Sequence, residues 1–403
     1  MKINTERQKL SNDERNNNTN IEIFNLNNQN KNIVIKEKSK IRNSSFELLR
    51  IILMILIILS HILYFTKSLP KLGKKNYKKI INNNYIFLKI VSNNGKFSDI
   101  IFIMISGYFS IKNLDFHYYK FILIASETYT YHYFILFISN KLKSLYKNIS
   151  IKKKGSKYLP LLTSSGHWFA QNYLLLLIFM PFINSGLLSL SHQKYKTLII
   201  LIIIFYCIFN GALKFFNLKT NTLNTTRFLR LLMPYIIGGY IKCYDLKYKL
   251  FWKTSGIILF ILTFILEFIF EKLAIYYGNY TWISIQEELS LNLYSLLPIL
   301  SSIGIICLFK DIEIYNKIIN FISASVFGIY LIHGNGNIAP FLYNVWYKTK
   351  DYNENQFFMH YFIKTILIFS ISLIIDIIRR FTIGFIIEII LKLLIKKFKN
   401  KFK

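Results

Sequence analysis

Three ionisable residues interrupt the first long apolar run of the sequence: Glu47, Arg50 and His61. Arg50 and His61 are close to three helical turns apart, so on a helix they share a face, about 16 Å from one another along the axis. Glu47 precedes Arg50 by three positions and joins the same stripe. An acid, a cation and an imidazole in one row are suited to proton transfer, because His titrates nearest neutrality. Ionisable groups are costly in hydrocarbon, which makes each of the three a functional candidate. The bland alternative is that Glu47 and Arg50 snorkel to an interface and His61 caps the helix at headgroup level.

Lys120 and Glu127 repeat the pattern further on, nearly two turns apart, and their spacing predicts an ion pair along one side of a helix. The run Ser126 to His132 is too polar to face lipid on all sides; helix-to-helix hydrogen bonding and substrate contact both explain it. Ser106 and Gly107 are small residues inside an apolar segment, which points to close helix packing. Glu267 and Asp376 are later acids, read as bundle-interior residues. No Walker loop, G-x-S-x-G elbow or H-E-x-x-H zinc helix occurs. Cys207, Cys243 and Cys307 are too scattered for a disulfide framework or zinc site, and no metal is expected.

The elements that must position these groups are membrane helices. With 53% hydrophobic and 17% aromatic residues the chain is too apolar for an ordinary soluble domain. Its apolar residues gather into windows near the roughly 20 residues that cross hydrocarbon, and runs such as Ile51 to Leu59 do not alternate as barrel strands would. The fold class expected is all-α, a polytopic membrane bundle of ten spans: 46–66, 97–114, 117–139, 167–187, 196–213, 226–242, 252–271, 289–309, 315–333 and 357–379. Residues 1–42, polar and Asn-rich, read as a disordered tail and place the first apolar run too deep for a cleaved secretory signal. Residues 43–380 form the membrane domain, and 381–403 a basic amphipathic helix on the membrane surface. The net charge of +31 reflects a general Lys, Asn and Ile bias; it favours membrane lipid as a partner and not nucleic acid. Both basic tails are expected on the cytoplasmic side, although the loops 66–96 and 139–165 are lysine-rich too.

Arg42 to Arg50 (RNSSFELLR), followed by an apolar run to His61, resembles the opening helix of the acyltransferase-3 family of membrane O-acyltransferases, with its R-x(10)-H pattern. Four further segments match that family in order: FIMISGY at Phe102–Tyr108, HWFAQNYLLLLIFMPFIN at His167–Asn184, RLLMPYIIGGYI at Arg230–Ile241 and FGIYLIH at Phe327–His333. The resemblance implies transfer of an acetyl or related acyl group from cytoplasmic acyl-CoA to a hydroxyl of a surface or lipid-linked saccharide, at the plasma membrane. It assigns functional roles to Arg50 and His61. One departure is that the family's Arg-x-x-Arg after the second span is missing. The segment Ile111 to Lys120 offers Lys112 and Lys120 instead, and lysine meets phosphate only as a point charge. Arg227 and Arg230 have the spacing but lie elsewhere.

Under that resemblance His61 is the expected general base, with Arg50 and Glu47 organising the stripe. His333 is a second imidazole near the site, and Trp168, Asn172 and Tyr173 offer an aromatic and amide surface for a sugar ring. A transporter or flippase of a lipid-linked saccharide is the competing reading of buried charges. Its mark would be paired Gly or Pro breaks in two halves, a pattern that Pro181, Pro234, Pro298 and Pro340 do not make.

Overall fold

The computed structural model describes residues 43–66, 83–145, 167–209, 227–244, 249–277, 282, 295–339, 341–345 and 354–401; the tail 1–42 lies outside them. Among the described residues the chain is helical, with no strand. The main helices are α1 (Ser45–Thr66), α2 (Asn83–Ser110), α3 (Tyr118–Leu145), α4 (Trp168–Leu188), α5 (His192–Ile203), α6 (Arg227–Cys243), α7 (Lys249–Tyr277), α8 (Leu296–Lys310), α9 (Lys317–Ser323), α10 (Val326–His333), α11 (Glu354–Arg379) and α12 (Phe385–Lys401). Four described stretches, within α1, α3, α4 and the α11 to α12 run, are long and apolar enough by themselves to cross a membrane. Large apolar side chains such as Phe182, Ile258, Ile261, Ile265, Ile374 and Ile378 point outward, as a bundle surrounded by lipid tails requires.

α1 and α2 pack together at the centre, with α6 against the other side of α2. Small residues allow the approach: a Cβ on Gly107 would strike the Tyr235 carbonyl, and one on Gly238 the Met104 carbonyl. The close packing read from Ser106 and Gly107 is therefore present, through the glycine, while Ser106 turns its hydroxyl to the Phe102 carbonyl at 3.1 Å. Gly256 and Gly304 make the same reciprocal contact between α7 and α8.

The start of α1 is tied to a distant loop. Asn43 Oδ1 accepts from the Ser45 N–H at 2.9 Å, and Asn43 Nδ2 donates to the Ile312 carbonyl at 3.0 Å. The Ser44 N–H donates to Ile314 O at 2.6 Å; the Ser44 hydroxyl donates to Asn316 O at 3.1 Å and accepts from the Asn316 N–H at 3.0 Å. Asn316 in turn caps α9, its Oδ1 accepting from the N–H groups of Ile318 and Ile319 at 2.8 and 3.1 Å.

Two sequence expectations need correction. The span 315–333 is not one helix, because it breaks at Ala324 and Ser325 into α9 and α10. Backbone groups freed by a break must be satisfied inside the bundle. Arg380 does this, donating to Phe321 O at 3.1 Å and the Ser325 hydroxyl at 3.0 Å. The span 357–379 does not end before a separate surface helix; five π-helical residues, Arg380–Gly384, carry α11 directly into α12.

Candidate active site

The α1 stripe faces inward, onto α9, α10 and α4. Glu47 is 4% exposed. Its carboxylate accepts from Arg50 Nη1 at 3.1 and 3.0 Å and from the Ser323 hydroxyl at the end of α9. Arg50 and Lys120 both lie within electrostatic reach of the Tyr173 hydroxyl on α4. The Lys120 ammonium lies 5.9 Å from the centre of the Tyr173 ring. One end of the stripe is thus a cationic cluster, Arg50 and Lys120, gathered around a phenol.

The other end is built from imidazoles. His61 packs against His333 with ring centroids 5.1 Å apart. His333 is fully buried, and its Nδ1 lies 2.6 Å from the Ile329 carbonyl oxygen. His167, just before α4, is also fully buried and places Nε2 2.8 Å from Asn335 Nδ2 in the turn after α10. The Tyr330 ring stands between them, 6.2 Å from His167 and 6.3 Å from His333. Sequence reasoning reached His61 and His333 but not His167 or Asn335.

A separate ionic cluster links α3 to α11. Arg379 donates to Glu127 at 2.9 Å and to Asp376 at 2.8 Å, and the Tyr131 hydroxyl donates to Asp376 at 2.6 Å. Asp376 fills the notch left by Gly328 on α10, where a Cβ would strike its carboxylate. The expected Lys120 to Glu127 pair does not form, because Glu127 turns to Arg379 while Lys120 turns to Tyr173. Charge complementarity between helices has overridden spacing within one.

The aromatic and amide surface expected at Trp168, Asn172 and Tyr173 is divided as well. Asn172 spends its amide on the Trp168 carbonyl at 2.6 Å. Trp168 lines a narrow cleft with Phe169, Asp99 and Arg230, and Tyr173 belongs to the Arg50 cluster. Asp376 has partners that its sequence context did not reveal, whereas Glu267 is buried as read.

A family model described as an acyltransferase domain, acyltransferase-3, matches residues 43–377, most of the chain. The chain belongs to the acyltransferase-3 family. No curated protein and no solved structure matches it. Membership makes the chain a membrane acyltransferase, in keeping with its apolar helices. The acyltransferase-3 match begins at Asn43, where the clamp onto Ile312 and Asn316 begins, and ends at Ile377, beside the Asp376 and Arg379 cluster. The family's domain therefore contains the whole inward stripe, from Glu47 to the His61 and His333 pair.

Proposed function

We propose that this acyltransferase moves an acetyl or similar small acyl group from acyl-CoA to a hydroxyl of a surface or lipid-linked saccharide, in the plasma membrane with both basic tails cytoplasmic. The observation that carries the reading is the inward stripe, a cationic cluster at one end and a packed imidazole pair about three helical turns away. Arg50 and Lys120 provide positive charge and hydrogen-bond donors for the phosphates of a CoA-type donor. His61 is the base. As the acceptor oxygen bonds to the thioester carbon, its proton passes to the imidazole, and the carbonyl electrons move onto oxygen. Collapse of that intermediate breaks the carbon–sulfur bond, and the imidazolium returns its proton to the thiolate.

Glu47, bound to both Arg50 and Ser323, holds the guanidinium in register with α9. Trp168, Asn172, Tyr173, Glu127 and His333 were the other candidates for substrate contact. Of these, His333 packs on His61, Tyr173 lies within electrostatic reach of Arg50, and Trp168 lines a cleft with Asp99 and Arg230.

The test is thiol release from acetyl-CoA by purified protein, with and without a panel of glycans. Glycan-dependent release supports the proposal. Release without any acceptor dependence would place the acceptor outside the saccharides. Movement of a lipid-linked saccharide across vesicles without thiol release would favour the transporter reading.

A further inference from the structure

His167 breaks a local rule. It occupies the N-cap position of α4, with φ −101° and ψ 50°, and makes no side-chain capping bond. That position favours Ser, Thr, Asp or Asn, whose short side chains take up a free N–H of the first turn. An imidazole there forgoes that stabilisation, and the ring reaches 168 residues along the chain to Asn335 instead. Departures of this kind are expected where function competes with local preference.

Asn335 decides where the His167 proton sits. Its Oδ1 accepts from the backbone N–H of Asn337 at 2.9 Å. A backbone N–H can only donate, so the amide orientation is fixed and Nδ2 faces His167 as a donor. Nε2 of His167 is therefore the lone-pair nitrogen, and in the neutral ring Nδ1 carries the hydrogen. In His333, Nδ1 meets the Ile329 carbonyl, which can only accept, so Nδ1 carries the proton and Nε2 is the lone pair. The free atoms are of opposite kind: a donor on His167 and an acceptor on His333. Both are buried, and neither has a hydrogen-bond partner among the described residues.

Buried polar atoms are normally paired. Two orphans of opposite sense, on rings that both contact Tyr330 and one of which packs on His61, suit a ligand that brings an acceptor to one and a donor to the other. A hydroxyl attacking a carbonyl does this. We infer that the Nδ1–H of His167 is an oxyanion donor in the transfer, and that Asn335 is the positioning residue that holds it in the donor tautomer. The inference rests on the acyl-transfer reading. As the new carbon–oxygen bond forms, the proton leaves the hydroxyl for His61, the ring packed on His333, and the charge arriving on the carbonyl oxygen meets His167 Nδ1–H. When the carbon–sulfur bond breaks, that charge leaves with the thiolate, which recovers the proton from the base. His167 keeps its own proton throughout. His132, 2% exposed, is a further titratable group within electrostatic reach of His167. No three of the described His, Cys, Asp or Glu residues are arranged as metal ligands.

Asn335→Asp tests it. The variant keeps the side chain's shape but puts an acceptor oxygen against Nε2, which draws the proton there and leaves Nδ1 bare. On the alkaline side of neutrality, glycan acetylation should fall about 10²- to 10³-fold in kcat, the usual effect of losing one oxyanion donor, with KM for acetyl-CoA little changed. Some activity should return as the pH drops and the ring takes a second proton. NMR of the full chain labelled with ¹⁵N-histidine reads the tautomer directly: the His167 proton should lie on Nδ1 in the wild type and on Nε2 in the variant. A variant within about threefold of wild-type kcat, or a wild-type His167 protonated on Nε2, overturns the inference. Absence of thiol release by the wild type would instead sink the acyl-transfer reading, while the wild-type tautomer would still decide whether His167 is built as a donor.

Discussion

Replacing His61 by alanine separates chemistry from folding. The substitution removes one polar group from a largely apolar helix, so insertion should hold or improve, while loss of the proposed general base should lower transfer by about 10²- to 10⁴-fold. Acetylation in membranes matched for protein content checks this; a variant with more than about a tenth of wild-type transfer would exclude His61 as the base. Arg379 makes a different case, since it lies between two carboxylates and is only 13% exposed. Arg379→Met strands Glu127 and Asp376 together and should cost about 3–5 kcal/mol, seen as a lower melting temperature in detergent. Adding Glu127→Gln and Asp376→Asn to it should recover much of that loss. Arg50 and His61 were legible in the sequence because their relation is a helical period within one segment. Arg379 with Glu127, and His167 with Asn335, were not, because their partners stand 252 and 168 residues apart and no local period encodes such a pairing.

At the level of helices, the closest approaches depend on the absence of side chains. Gly107 and Gly238 each lie against a backbone carbonyl of the other helix, and a carbonyl cannot rotate away as a side chain can. Gly107→Ala and Gly238→Ala should each destabilise by about 1–3 kcal/mol, and the double variant by less than the sum, since the first already separates α2 from α6. Thermal unfolding of the three variants in detergent measures this. Gly186, with no neighbour around a Cβ, is the control and should tolerate alanine. Helix positions were largely readable, because an apolar run flanked by lysines admits few alternatives. The break at Ala324 and Ser325 was hidden inside a continuous apolar run; what stabilises it is Arg380, more than fifty residues later. The continuity of α11 with α12 was missed for the opposite reason, since a change in composition looked like an end.

Among the described residues, the start of α1 is held by a segment far along the chain. Residues 1–42 lie outside the family match, whereas Asn43 and Ser44 hold the loop before α9. Deletion of residues 1–42 should leave membrane insertion and transfer intact, and extending the deletion through Ser44 should lower both stability and activity. Parallel activity and melting measurements on the two truncations check this; equal behaviour would mean that the clamp contributes nothing. That clamp also has a consequence in time. Ser44 and Asn316 are separated by 272 residues, so at about 5–20 residues per second a ribosome needs roughly a quarter of a minute to nearly a minute between them. During that interval α1 is already made, yet Ser323 and His333 do not exist. Glu47 and Arg50 can neutralise each other within one helix turn while they wait, but His61 has no partner imidazole. The Glu47 to Ser323 contact and the imidazole pair are therefore incomplete until translation is four-fifths done, and the site proposed for acyl transfer comes together only when the chain that carries it has almost left the ribosome.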